Sequence, residues 1–143
     1  MFITEQGING RGDVVGSVNL NAGGACTGCP AGQYGYLRSS RGTITFFQVN
    51  NISNRTRARG ITDSGWITVD FRDNSGNGAQ GFVANVAADG SFHVLQISTA
   101  DLVNVLGTAE TTPEAIDNSG RIVEIAVDVD GNFHGFIATP TRK

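Results

Sequence analysis

Lysine is almost missing from this chain: the only one is the final residue, Lys143, set against nine arginines. Charged residues of every kind make up only 16% of the 143 residues, while glycine outnumbers proline 20 to 3. Scarce charge with abundant glycine excludes a helical bundle, whose faces need Glu, Lys, Ala and Leu. No apolar run approaches the roughly 18–20 residues that cross a bilayer, so no membrane span is expected. The opening Met1-Phe2-Ile3-Thr4 lacks the charged start and apolar stretch of a secretory signal. A net charge of −3 gives no field to draw nucleic acid, and no nucleic-acid partner is expected. No Gly-x-Ser-x-Gly elbow, phosphate loop or His-Glu-x-x-His segment occurs, and no catalytic residue, metal or cofactor is expected.

What is present suits short strands and tight turns. Hydrophobic residues at 39% are enough for one domain with a buried core. Glycine reaches positive φ without steric cost, as hairpin turns require.

Three segments align without gaps: Gly7-Ile8-Asn9-Gly10-Arg11-Gly12-Asp13-Val14-Val15, Gly60-Ile61-Thr62-Asp63-Ser64-Gly65-Trp66-Ile67-Thr68, and Ala115-Ile116-Asp117-Asn118-Ser119-Gly120-Arg121-Ile122-Val123. Each reads as a strand end, a turn closed by Gly, and a new strand. A second signature follows each: Tyr34-Gly35-Tyr36-Leu37, Gln80-Gly81-Phe82-Val83 and His134-Gly135-Phe136-Ile137. Glycine beside an aromatic in a strand points to close approach of a neighbouring backbone. A third element occurs twice, at Gly42–Phe47 and Gly90–Leu95.

The anchor residues Ile8, Ile61 and Ile116 stand 53 and 55 positions apart. Without the extra residues around Cys26–Cys29 and around 98–107, the unit is roughly 45 residues, the length of a four-stranded propeller blade. The reading is an all-β single domain of about two and a half propeller-blade-like units, near 1–53, 54–108 and 109–143. A trefoil-like or other closed barrel is the alternative. Ser98-Thr99-Ala100-Asp101 before Leu102, Val103, Val105 and Leu106 predicts one short helix near 99–106.

The chemistry-bearing residues are few. Arg55, Arg57 and Arg59 alternate, so a strand would project all three guanidinium groups from one face. That fork-rich surface suits phosphate, sulfate or a carboxylated sugar; the plainer reading is a charged edge strand that blocks aggregation. Trp66 occupies the position filled by Asp13 and Arg121 in the other copies. It is therefore expected to face solvent as a binding aromatic or a subunit contact. Cys26 and Cys29 read as a loop disulfide in an oxidising compartment, with free thiols or metal or redox chemistry as alternatives.

Asp128-Val129-Asp130-Gly131-Asn132 reads as a hairpin turn rather than a calcium loop, since no bidentate Glu follows at the needed spacing. Arg11-Gly12-Asp13 matches an integrin tripeptide, but its Gly is simply the turn residue. The thirteen acids fall mostly at turn positions, where Asp is expected on conformational grounds.

These segments resemble the HAF-type extracellular repeats of bacteria, whose unit runs roughly Gly-Ile-Asn-Asp-x-Gly-x-Ile-Val-Gly and then Asp-x-x-Gly-x-x-His-Gly-Phe. Ile116–Val123 with Asp130–Phe136 is the nearest copy; Val69 and Glu124 depart from the pattern where it carries Gly. The resemblance implies a secreted or envelope location, against a cytoplasmic alternative, and a scaffold or binding role. A propeller needs at least four blades, so fewer complete units imply a homo-oligomer joined through exposed sheet edges. The residues Phe2–Gln6 are placed to add an edge strand to the incomplete third unit, within one chain or between two. The functional expectation is a non-catalytic extracellular binding or structural module, taking carbohydrate or an acidic polymer if it takes a ligand. The alternative is a carboxylate-dependent carbohydrate-active enzyme with its site in a cleft or subunit groove.

Overall fold

The computed structural model describes residues 3–21, 30–49, 53–73, 78–95 and 110–140. Among them the chain is all-β, with eleven strands and no helix. A first meander comprises β1 (Ile3–Ile8), β2 (Val14–Leu20), β3 (Gly32–Arg38) and β4 (Ile44–Phe47). A second comprises β5 (Ser53–Ile61), β6 (Trp66–Asp73), β7 (Ala79–Val86) and β8 (Phe92–Leu95). A third has three strands, β9 (Glu110–Ile116), β10 (Ile122–Val127) and β11 (Phe133–Ala138). The segment near 99–106 and the pair Cys26 and Cys29 lie outside the described residues.

Six hairpin turns share one geometry. They begin at Asn9, Ser39, Thr62, Ala87, Asp117 and Asp128. In each, the first residue's N–H donates to the carbonyl four residues on, and the glycine N–H donates back to the first carbonyl. The glycines Gly12, Gly42, Gly65, Gly90, Gly120 and Gly131 all have φ between 82° and 90°. This is the type I turn with a left-handed fourth residue, in which a Cβ would be strained. The first residue is polar in five of the six because its side chain also accepts: Asn9 Oδ1 from Arg11 and Asp13, Asp128 Oδ1 from Asp130 and Asn132.

Within each meander all pairings are antiparallel. One parallel pair, Gln33 with Arg55, joins β3 to β5, so the first two meanders make an eight-stranded sheet and β9–β11 a separate one. Neither sheet closes among the described residues, which corrects the barrel alternative. The strands turn back on themselves through tight hairpins, and no ladder joins the last strand of either sheet to its first.

The main core lies between the first two meanders. It gathers Val15, Phe47, Ala58, Ile61, Ile67 and Val69, with Leu37, Phe82, Val86 and Phe92 partly buried against them. Each fully buried aliphatic side chain here stabilises by roughly 1.5–3 kcal/mol. Phe92 sits edge-on to both Phe47 and Phe82, at 5.2 and 5.5 Å. A second cluster of Val18, Leu20, Tyr34 and Tyr36 occupies the opposite face of β2 and β3.

Contacts between meanders fall on positions that the sequence aligns. There is no room for a Cβ at Gly7, which would come 2.7 Å from the Arg59 carbonyl, or at Gly60, 2.9 Å from the Ile116 nitrogen. A Cβ at Gly81 would overlap the Pro113 ring, and the Gly81 N–H donates to Thr111 Oγ1 at 3.1 Å. Three turns stand side by side at one end. Gly10 N–H donates to Asp63 Oδ1 at 2.6 Å, and Asp63 N–H donates to Asn118 Oδ1 at 2.8 Å.

Candidate functional site

The face of the second meander that turns toward β9–β11 carries an ionic cluster. Strand alternation sends Arg55, Arg57 and Arg59 to this face, and the pairing of Arg57 with Asp70 sets a carboxylate opposite them. Arg57 donates to Asp70 Oδ2 through Nε at 2.9 Å and Nη2 at 2.6 Å, while Arg59 Nε donates to Oδ1 at 2.9 Å. Arg59 then reaches across to Glu114 Oε2 at 2.8 Å, and Arg72 to Glu110 at 3.2 Å. Asp70 is fully buried. One carboxylate thus holds two guanidinium groups, and the surplus positive charge is met by Glu114 and Glu110 of β9. Such charge-assisted, multidentate bonds are the stronger kind.

Of the four residues that the sequence nominates for ligand binding, Arg57 and Arg59 come together on Asp70. Arg55 lies farther along β5 and lines a shallow open depression of about 490 Å³ with Asn19, Asn21 and Gln33. Burial, then the neighbouring Arg57 and Arg72, lower the Arg55 guanidinium from its ordinary value. The nearby amides and this cation can hydrogen-bond hydroxyl and carboxylate groups. Trp66 is half-buried on the same face of β6 as Asp70, four residues away or about 13 Å along the strand. Its backbone N–H donates to Thr62 Oγ1 at 3.0 Å.

The other carboxylates are built into turns. Asp13 accepts from Asn9, Ser40 and Arg11; the Asn9 bond, followed by that from the Ser40 backbone, holds its pKa down. The Arg11-Gly12-Asp13 acid is therefore buried and engaged. Asp117 is held well below the usual carboxylate range, chiefly by Ser119, and Asp128 chiefly by His134, whose Nε2 lies 2.8 Å away. Groups stabilised as anions in this way are poor proton donors at neutral pH.

Glu124 behaves oppositely. It is fully buried in β10, between Pro113 and Phe136 in register, and neither carboxylate oxygen has a hydrogen-bond partner in the described structure. Burial pushes its pKa up to about 7. The sequence marks Glu124 only as a departure from the repeat pattern. Asp70 and Glu114 were not singled out at all. The available signal for Asp70 was an acid alternating with Val69 and Phe71 in an apolar strand.

No family model, curated protein or solved structure matches this chain.

Proposed function

We propose that the chain is a non-catalytic repeat module: copies of one antiparallel unit, with four, four and three strands among the described residues, stacked like propeller blades and working by binding. The row Gly10–Asp63–Asn118 carries this reading. These three residues occupy one aligned position, and each touches the next across 53 and then 55 residues. Unrelated meanders have no reason to meet at matched positions, whereas nearest-neighbour contact between like units is how repeat arrays are stabilised.

The disposition of the acids favours binding over hydrolysis. A paired-carboxylate enzyme needs one acid with a raised pKa facing another across a cleft. Among the described residues the one raised acid, Glu124, is enclosed by protein, and the lowered ones cap turns. An extracellular or envelope setting follows from the resemblance to HAF-type repeats.

The ligand we favour is an acidic glycan in the depression beside Arg55, where Asn19, Asn21 and Gln33 supply amides for sugar hydroxyls. On an array of uronate-bearing, sulfated and neutral glycans, the protein is expected to bind the acidic ones. Arg55→Ala should weaken that binding about tenfold, or roughly 1.4 kcal/mol, when compared at equal folded fraction. Equal binding by wild type and variant would remove the ligand assignment. Release of shortened sugar products would overturn the non-catalytic reading.

A further inference from the structure

We infer that the outward face of the β9–β11 sheet is a docking surface for β1 of a second copy of this chain, so that copies join head to tail. The inference rests on the repeat reading above and follows from what happens to aligned residues when a neighbouring unit is missing.

At the tail, Thr68 is 0% exposed where its counterpart Val123 is 51% exposed, and Val83 is 4% exposed where Ile137 is 67% exposed. The second meander has β9 lying against this face; the third has nothing there among the described residues. Gly81 shows the same contrast. Its Cβ position is filled by Pro113, whereas at Gly135 a Cβ would meet nothing within 4 Å. Phe133 enlarges the open apolar face. Cross-strand pairing of Val123 with Ile137, Ile125 with Gly135 and Val127 with Phe133 puts all six residues on one side of the sheet.

The head shows the complementary loss. Ile61, in the strand that packs onto the preceding meander, is 7% exposed; its aligned partner Ile8 in β1 is 70% exposed. Ile3 also lies open, opposite Val18 and on the same side of the sheet as Ile8. Among the described residues, the third meander thus presents an unfilled socket and β1 an unburied plug, Ile3 and Ile8. The outward β9–β11 face is apolar at Val123, Phe133 and Ile137, and exposed apolar surface marks an interaction site; on the head face Val18, Leu20, Tyr34 and Tyr36 are already buried, which leaves Ile3 and Ile8 of β1 as the open contacts.

The occupant is a second copy because the socket already has a known fit. Its counterpart on the second meander takes β9, and β1 is the strand aligned with β9 that lacks a seat. Such a contact is heterologous: each copy offers a different surface at each end, giving a ring or a filament according to its rotation. One position limits how closely the copies approach. Ala115 stands where Gly7 and Gly60 leave no room for a Cβ, so a docked β1 sits farther out than β5 or β9 does. Ala115→Gly should therefore tighten association.

The test uses sedimentation of the full chain, whose monomer is 15.0 kDa, with one variant blocking each end. Gly135→Arg fills the socket while leaving the isolated fold unstrained, and Ile8→Arg puts charge on the plug. Ile137→Arg and Ile3→Arg serve as second variants should either fail to fold. Wild type is expected to sediment as two or more copies. Each variant alone should dissociate at least about tenfold more readily. An equimolar mixture should recover a 1:1 complex, since it contains one intact plug and one intact socket. A monomeric wild type would overturn the proposal, as would Ile8→Arg associating like wild type or a mixture that stays monomeric. Those outcomes concern contacts between copies and leave the repeat reading to its own test within one chain.

Discussion

Replacing Asp70 by Asn is expected to destabilise the protein by about 3–5 kcal/mol, the loss usual when one partner leaves a buried ion pair. Asn keeps the size of Asp and one acceptor oxygen, so the change is almost purely one of charge. Two guanidinium groups, Arg57 and Arg59, then face each other without the carboxylate that both now grip. Arg59 keeps Glu114, whereas Asp70 is the ion-pair partner of Arg57 among the described residues. For a chain of this size the melting temperature should fall by about 10 °C. Denaturant unfolding at neutral pH checks this. A loss below about 1 kcal/mol would mean that the cluster is solvated like a surface pair.

Glu124 should make stability depend on pH in the sense opposite to that of most carboxylates. Burial raises its pKa from the ordinary 4.5 to about 7, so between these values the folded chain holds a proton that the unfolded chain releases. Its contribution is full below about pH 4.5, falls as the pH rises through about 7, and is then lost. The difference in pKa corresponds to about 3 kcal/mol at pH 8. Glu124→Val, which installs the residue found at the aligned position Val69, should stabilise the protein by about that amount at pH 8 and much less at pH 4.5. Unfolding curves at the two pH values measure it. An unchanged pH dependence in Glu124→Val would show that the carboxyl reaches water when ionised.

Much of the fold was legible because its determinants are local. A polar residue followed three positions later by Gly marks five of the six turns, since the conformation depends only on residues inside the turn. The strands follow from what lies between the turns. The glycine beside an aromatic was legible as a point of close approach, but not what approaches. At Gly35 it is Phe47 from the adjacent strand and at Gly81 it is Pro113 from another meander. The ionic cluster was half legible. Alternation placed the arginines on one face, but alternation within one strand says nothing about the acid opposite, and Asp70 and Glu114 come from β6 and β9. Trp66 was expected to face water from its counterparts Asp13 and Arg121. It is half-buried, on the face of β6 that carries Asp70 and turns toward β9. Glu124 stood out only as a misfit, and its burial depends on what packs over β10.

The central claim is that successive units dock through one recurring place and that the last unit's place is open. The most direct measurement compares the melting of two variants carrying one and the same substitution, Gly81→Ala and Gly135→Ala, at concentrations where the chain is monomeric. The account predicts that Gly81→Ala loses about 1–3 kcal/mol or more, because a methyl must displace Pro113. It predicts that Gly135→Ala changes stability by less than about 0.5 kcal/mol or raises it, as Ala for Gly in an open strand does. Equal losses at both positions would contradict the account, since a filled and an open site cannot respond alike.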